Sequence, residues 1–401
     1  MKKFYKRFTV SFFLVFFNFE NIYSKKIIQN SHNQLKSHIN RTHWFQFVSL
    51  SNIIFHHPEI KSQSCSESLE FTFKPFPLSI DHNRQPYHGF LLPTFIVKIP
   101  QGIVQGMNGL VLIDNQCIEE MIWRGCPGNY LVAQKIEPSM IQKVNGRMAV
   151  ITQPAYDNYF HWHTEILSRL ALLEIQGTEY DYLYVPQKSK FMRETLKMWG
   201  IPESKIIAPT SEDFAIQADE IILPSLVCNS NHGWTHFVNY VRPELLAYVK
   251  NKLFSSVKQK DNINFSKKIF ISRKDAPFRK VINEDEVFEK FKPYGFERYE
   301  LSKLSVAEQI VLFNQAEIIV SAQGTGLANS IYCTQKTKII ELFQSLCDCT
   351  FWYISQIFNL DYVPVQTVRF ETDFIKAWKT DTYMPIDIID KVKNYLQNKR
   401  D

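Results

Sequence analysis

Glycine and proline are scarce. The 401 residues hold 13 Gly and 18 Pro, which excludes a collagenous or low-complexity chain. Beyond the N-terminus no run of 18 apolar residues occurs, which excludes a polytopic helical membrane protein. The seven cysteines include no CxxC pair and no zinc-like spacing, so they read as mostly buried thiols, Cys347 and Cys349 among them, beside the aromatic run Phe351-Trp352-Tyr353. Disulfides stay open, and the cysteines leave the redox compartment undecided. Excess charge is small too: 46 Lys plus Arg face 40 Asp plus Glu, a net of +6. Lys2, Lys3, Lys6 and Arg7 against Glu20 place +3 of that in residues 1–24, so the rest of the chain carries only +3 and does not fit a nucleic-acid binder. Also missing are a Gly-x-Ser-x-Gly elbow, a P-loop, and an Asp-x-Asp between an apolar strand and a turn.

What is present is enough for large cores: 45% apolar and 14% aromatic residues. The length suggests two domains. Residues 1–24 place four basic residues before the apolar stretch Phe8 to Phe17, the shape of a cleaved signal, a short anchor, or a Phe-rich start that is neither. Localisation is therefore open between cytoplasmic or membrane-associated and exported. Residues 25–70 are polar and read as a loosely structured lead-in. Short apolar runs such as Phe90–Ile99 and Tyr130–Val132 then imply strands and turns within residues 71–257. From residue 158 helices and strands alternate, beginning with an amphipathic helix at Asn158–Ile175. A polar, charged stretch near residue 258 marks a domain boundary, and residues 258–384 alternate more regularly still, which implies a parallel sheet covered on both faces. Capping-box patterns open helices at Asn283 with Glu286 and at Ser305 with Glu308. A closing helix in residues 385–401 is placed to pack back across the domain junction.

Three places can carry chemistry. Gln323-Gly324-Thr325-Gly326 follows the apolar strand Ile318–Ala322 and precedes a helix, so bare amides and a helix start can face an anion; a plain tight turn is the alternative. Ser272-Arg273-Lys274 begins where the strand Lys268–Ser272 ends, with Arg279 and Lys280 close behind, and a guanidinium there can grip a phosphate; a solvated basic loop is the alternative. On the helix at 158–175, Asn158, His161, Glu165 and Arg169 fall within an arc of roughly 80°. Such a stripe lines a cleft or forms a satisfied network in which Glu165 and Arg169 neutralise each other at i,i+4. His161 and His163 lie on opposite sides and cannot easily share a metal, so no metal site is expected.

These pieces occur together in one order. Ile271-Ser272-Arg273, Arg279 before Asn283-Glu284, Gly295-Phe296, Ser305-x-x-Glu308-Gln309-Ile310, Gly324-x-Gly326-Leu327-x-Asn329 and Ile340-Glu341 resemble glycosyltransferase family 61. Asn158-Tyr159-x-His161-Trp162 looks like that family's upstream motif. Where the family has His before its glycine turn this chain has Gln323, Thr325 stands for Ala, Glu165 for the upstream Asp, and Ser168 for a frequent Pro. The resemblance implies an α/β GT-B-like fold, with two Rossmann-like domains facing a central cleft. It implies inverting, metal-independent transfer of a sugar from a nucleotide-sugar donor, UDP-sugars first, to a glycan, glycolipid or protein acceptor, often in surface polysaccharide synthesis, with no further cofactor and with membrane association open through the N-terminus. Glu165 is then the candidate general base, with His161 second. Arg273, Arg279, Gln323, Gly324, Thr325 and Gly326 are candidates for the donor diphosphate. Asn283 and Glu284 either hold the donor or only start a helix, and Glu341 either meets the nucleoside ribose or pairs with a nearby Arg or Lys. A degenerate relative that binds nucleotide or glycan without transfer is the other reading, on the strength of Gln323.

Overall fold

The computed structural model describes residues 46–73, 87–121, 135–232, 237–257, 263–344, 348–368, 376 and 379–396. The N-terminal apolar stretch and the expected strand at Tyr130–Val132 lie outside the described residues. Strands β1 (Lys61–Ser66), β2 (Thr94–Pro100), β3 (Gln142–Val150), β4 (Tyr182–Tyr184), β5 (Ile206–Ile207) and β6 (Ala215–Pro224) form the backbone of an eight-stranded front sheet in the order β5-β4-β3-β6-β2-β1. The strands from β3 to β6 pair in parallel, while β2 is antiparallel to β6 and β1 to β2. The front half is therefore a mixed sheet, only partly Rossmann-like. A parallel crossover needs a dozen or more residues and usually a helix, and before β3 the described residues offer only Leu50–His56 and short turns. β1 also corrects the reading of the lead-in: part of it is an edge strand.

The back sheet is regular. β7 (Lys268–Ile271), β8 (Glu297–Tyr299), β9 (Ile318–Ala322), β10 (Lys338–Phe343) and β11 (Asp361–Gln366) are all parallel, in the order β8-β7-β9-β10-β11. All five residues of β9 are buried, as expected for a strand covered on both faces. The order reverses between β7 and β9. In a doubly wound sheet, ligands bind beyond the carboxyl ends of the strands at that reversal. The residues there are Ser272-Arg273 and Gln323-Gly324, so chain topology alone brings the basic loop and the glycine turn side by side.

Helices α1 (residues 159–175), α2 (Lys190–Trp199), α3 (Pro243–Ser256), α4 (Glu284–Phe291), α5 (Val306–Gln315), α6 (Thr350–Phe358) and α7 (Ile388–Val392) complete the frame. One apolar core runs through both halves, joining Leu167 and Leu170 of α1 to Leu246 of α3, Ile269 of β7, Leu327 and Phe351. α5 starts as expected: Ser305 Oγ accepts the Glu308 amide at 3.3 Å and Glu308 receives the Ser305 amide at 2.7 Å. The matching box on α4 does not form. Asn283 instead exchanges two hydrogen bonds with the Met384 backbone, at 2.8 and 2.9 Å, and Glu286 accepts the Tyr383 hydroxyl. The C-terminal segment thereby docks on the back half. Ile388, Val392 and Leu396 pack with Phe270, Val287 and Phe291, so the closing helix does not cross the junction. Among the described residues, no helix is long and apolar enough to cross a membrane, and Cys65, Cys117, Cys228, Cys333 and Cys349 are free thiols.

Candidate active site

In the front half, Asn158 caps α1, its side-chain oxygen accepting the amides of Phe160 and His161 at 2.9 and 3.4 Å. The helix then makes a π turn over Trp162–Ile166, where the Leu167 amide reaches back five residues to the Trp162 carbonyl. Such single turns recur at functional sites. His161 Nδ1 lies 2.6 Å from Glu165 Oε1, and Gln153 Nε2 donates to Glu165 Oε2 at 2.5 Å. Glu165 is fully buried and His161 is 9% exposed, so the pair meets its surroundings through the imidazole. The Glu165–Arg169 pair, one of the two readings of this stripe, does not form as a hydrogen-bonded pair. The wide turn inserts a residue, which rotates everything after it by about 100° relative to an α-helix. Arg169 is turned onto the carbonyls of Ile151, Thr152 and Pro224 at 2.6–3.1 Å. Burial lowers its pKa to about 9, with nearby Glu165 opposing the shift.

In the back half, Glu284 clamps the end of β7, accepting the Ser272 hydroxyl at 2.5 Å and the Arg273 amide at 2.6 Å. It therefore does more than start a helix: it holds the turn that aims Arg273. The Arg273 side chain donates through Nε to the Arg279 carbonyl at 2.9 Å and through a terminal nitrogen to the Phe278 carbonyl at 2.7 Å. Its other terminal nitrogen lies so close to Gly324 that a Cβ there would stand 1.6 Å away. Only glycine leaves room for this guanidinium. Arg279 takes a left-handed backbone, φ 55°, a costly choice for a non-glycine residue. That bend turns its side chain inward, 6% exposed, while Phe278 is left 46% exposed. Burial lowers both guanidinium pKa values, Arg273 to about 10 with the neighbouring Arg279 charge adding to the shift. Lys274 is drawn off to Asp285 at 2.7 Å.

Gln323 is buried and held at both ends, its oxygen accepting from Arg279 at 3.3 Å and its nitrogen donating to the Asp348 carbonyl at 3.4 Å. Thr325 and Gly326 open the turn Thr325–Tyr332, with Gly326 packed under Leu301. Glu341 is fully buried. Tyr362 donates to one carboxylate oxygen at 2.5 Å, the other has no hydrogen-bond partner among the described residues, and burial pushes its pKa well up. Asn283 faces the C-terminal segment. The two family-like motifs touch directly: Tyr159 donates to Asn329 Oδ1 at 2.7 Å, and Asn329 donates to the Gly326 carbonyl at 3.2 Å. His163 packs against Tyr159 with ring centroids 4.0 Å apart and planes tilted by 32°, and burial lowers its pKa to about 4, so it is a neutral packing residue at neutral pH. Asp348, Gln153 and the Tyr159–Asn329 link escaped the sequence reading. An Asp two residues before Thr350 at the head of an apolar helix was the one signal available for Asp348. Among the described residues no group of three or more His, Cys, Asp or Glu is placed to hold a metal ion.

Comparison with known proteins agrees with the motifs. The family model described as Glycosyltransferase 61 matches residues 159–340, from the start of α1 into β10. No curated protein matches the chain. Among solved structures, a point-mutant form of a flavo di-iron protein from Thermotoga maritima aligns at 9% identity over 82% of this chain and 100% of that one; its TM-score of 0.22 is too low to bear on the fold. The family 61 resemblance therefore stands over residues 159–340, and glycosyl transfer is the activity that this resemblance suggests.

Proposed function

We propose that this glycosyltransferase family 61 chain moves a sugar from a nucleotide-sugar donor, UDP-linked first among the candidates, to a hydroxyl of a glycan, glycolipid or protein acceptor, with inversion at the anomeric carbon. The single observation that carries the reading is the pair of guanidinium groups, partly buried Arg273 and buried Arg279, gathered with bare Gly324 at the strand-order reversal of a parallel sheet. Two like charges held this close in a poorly solvated place favour an anion between them. The diphosphate of a departing nucleotide gains charge as the glycosidic bond breaks, and donors already in position stabilise it. The amides of Thr325 and Gly326, at the start of a helical turn, add to that field.

An attacking hydroxyl must lose its proton. His161 is the better base by geometry, and Glu165 acts on it. With Nδ1–H donated to Glu165 at 2.6 Å, Nε2 is left as the acceptor, and the imidazolium formed on proton transfer is stabilised by the adjacent carboxylate. The roles first expected are thus exchanged: Glu165 is the positioning residue and His161 the proton acceptor. The two halves, residues 71–257 and 258–384, would serve acceptor and donor in the manner of a GT-B enzyme. Turnover is expected to survive chelation, since no Asp-x-Asp stands at a strand end; loss with EDTA and recovery with manganese would refute that. A role in polysaccharide synthesis at a membrane, reached through the N-terminal segment, fits the same chemistry.

A panel of nucleotide-sugars, scored for donor hydrolysis and for UDP, GDP and CMP binding by calorimetry, tests the reading. Arg273→Ala should weaken nucleotide binding at least tenfold, the scale of one lost hydrogen bond to a charged group; equal affinity in both proteins would remove the phosphate role. Binding without hydrolysis or transfer would favour the degenerate relative instead, a reading to which Gln323, locked into the structure at both ends, lends weight.

A further inference from the structure

We infer that Gln153 is a positioning residue of the proposed transfer: from the end of β3 it donates to the second oxygen of Glu165 and so fixes the carboxylate that orients His161. The inference rests on the functional reading above.

Two elements place this side chain. Gln153 stands just beyond β3 and is 3% exposed. Its Nε2 donates to Glu165 Oε2 at 2.5 Å, while His161 Nδ1 lies 2.6 Å from Glu165 Oε1. The stretch that carries Gln153 is itself held. Arg169 donates to the Ile151 and Thr152 carbonyls at 2.9 and 2.7 Å, and the Thr152 hydroxyl donates to the Met107 carbonyl at 2.9 Å. Arg169 also donates to the Pro224 carbonyl, at the end of neighbouring β6, at 2.6 and 3.1 Å.

Glu165 and Arg169 both belong to α1. Helix and strand end therefore close a ring: from Glu165 to Gln153, along the backbone to Thr152, across to Arg169, and back along the helix to Glu165. The π turn gives this ring its shape, because it turns Arg169 off the carboxylate and onto the carbonyls beside Gln153. Gln153 donates to the carboxylate in its place.

The choice of an amide matters. A buried carboxylate oxygen needs a donor, and an amide nitrogen brings only hydrogens, so Oε2 can only accept from it. With both oxygens accepting, the carboxyl has no proton to offer His161 Nδ1. The imidazole then keeps Nδ1–H toward Glu165 and its Nε2 lone pair for the acceptor hydroxyl. Without the donor the carboxylate is free to turn, or to take a proton and present it to Nδ1; the imidazole would then carry its hydrogen on Nε2, where it cannot accept another. A neutral amide also brings no positive charge of its own, which would offset the pull of the carboxylate on the imidazolium.

Gln153→Met tests this, since it fills a similar space and removes the donor. Gln153→Asn, which stays polar but draws the amide back by one methylene, is the second variant if the first does not fold. On the full chain, hydrolysis of the nucleotide-sugar donor supplies kcat and KM, and calorimetry supplies UDP affinity. The expected result is a kcat lower by about tenfold to a hundredfold, part of the loss usual for an oriented base, with donor KM and UDP affinity within about twofold of wild type. Because Gln153 acts through Glu165, adding Gln153→Met to Glu165→Gln should cost less than about threefold more. A merely structural defect would lower UDP affinity along with kcat, or multiply with the Glu165 loss. Either outcome overturns the inference, as does a kcat equal to that of the wild type. In each of these cases the transferase reading stands, because the wild type still binds UDP and turns over. A wild type that neither binds UDP nor hydrolyses any donor overturns both.

Discussion

The two halves of the site treat charge in opposite ways. In the front half, Glu165 has no exposure, and each of its oxygens has a donor within 2.6 Å, from His161 and Gln153. In the back half, Arg273 gives its hydrogen bonds to main-chain carbonyls, which carry no net charge, while Arg279 sits beside it and adds repulsion. The first arrangement is complete in itself and suits holding and passing a proton. The second holds positive charge in reserve and suits receiving an anion. In the proposed reading, acid–base chemistry and diphosphate binding fall to different halves.

Glu165→Gln should break the front arrangement with the largest effect. Turnover should fall by about 10²–10⁴, the usual worth of an oriented base, while UDP affinity by calorimetry stays within twofold. A parallel loss of affinity would show that the division of labour is wrong. Acid should act next, through His163. Its pKa is lowered in the folded state from 6.5 to about 4 by burial. A depressed pKa means that its contribution to stability is present above pH 6.5 and is lost as pH falls toward 4, because the unfolded chain takes up the proton first. The loss is up to about 3 kcal/mol. Urea unfolding between pH 7 and 4.5 should show it in the wild type and less of it in His163→Gln.

Gly324→Ala sharpens the comparison from the donor side. The added Cβ displaces the Arg273 guanidinium, so UDP affinity by calorimetry should drop about tenfold, a cost similar to losing one charged hydrogen bond, with the proton-transfer groups of the front half left in place. Tyr159→Phe should have the smallest effect. It leaves the buried Asn329 oxygen without its donor between the halves, at about 1–2 kcal/mol in unfolding free energy. A loss of activity larger than the stability change explains would show that the link also sets the distance between base and diphosphate.

Much of the back half was legible because its signals are local. Ser305 and Glu308 stand three apart and form their box as written. β9 is apolar but for Ser321 and is buried throughout. The Asn283 box failed since its amide met a backbone segment 101 residues away, a competitor no window could contain. The front helix was legible as a helix, and His161 and Glu165 were legible as members of one stripe. The possible pairing of Arg169 with Glu165 did not form, since one wide turn shifts the phase of every later residue and leaves no mark in an apolar pattern.

Periodicity, turn residues and the order of the motifs therefore determined the strands of the parallel sheet, the turn that carries the glycines, and the residue types at the site, because hydrophobic burial and backbone sterics act over a few neighbours. Which oxygens are engaged, which way Arg279 points, and that Tyr159 reaches Asn329 were decided only by the tertiary structure. Hydrogen bonds and charges act across space, and residues 170 positions apart in the chain meet there only after the sheet and its helices have packed.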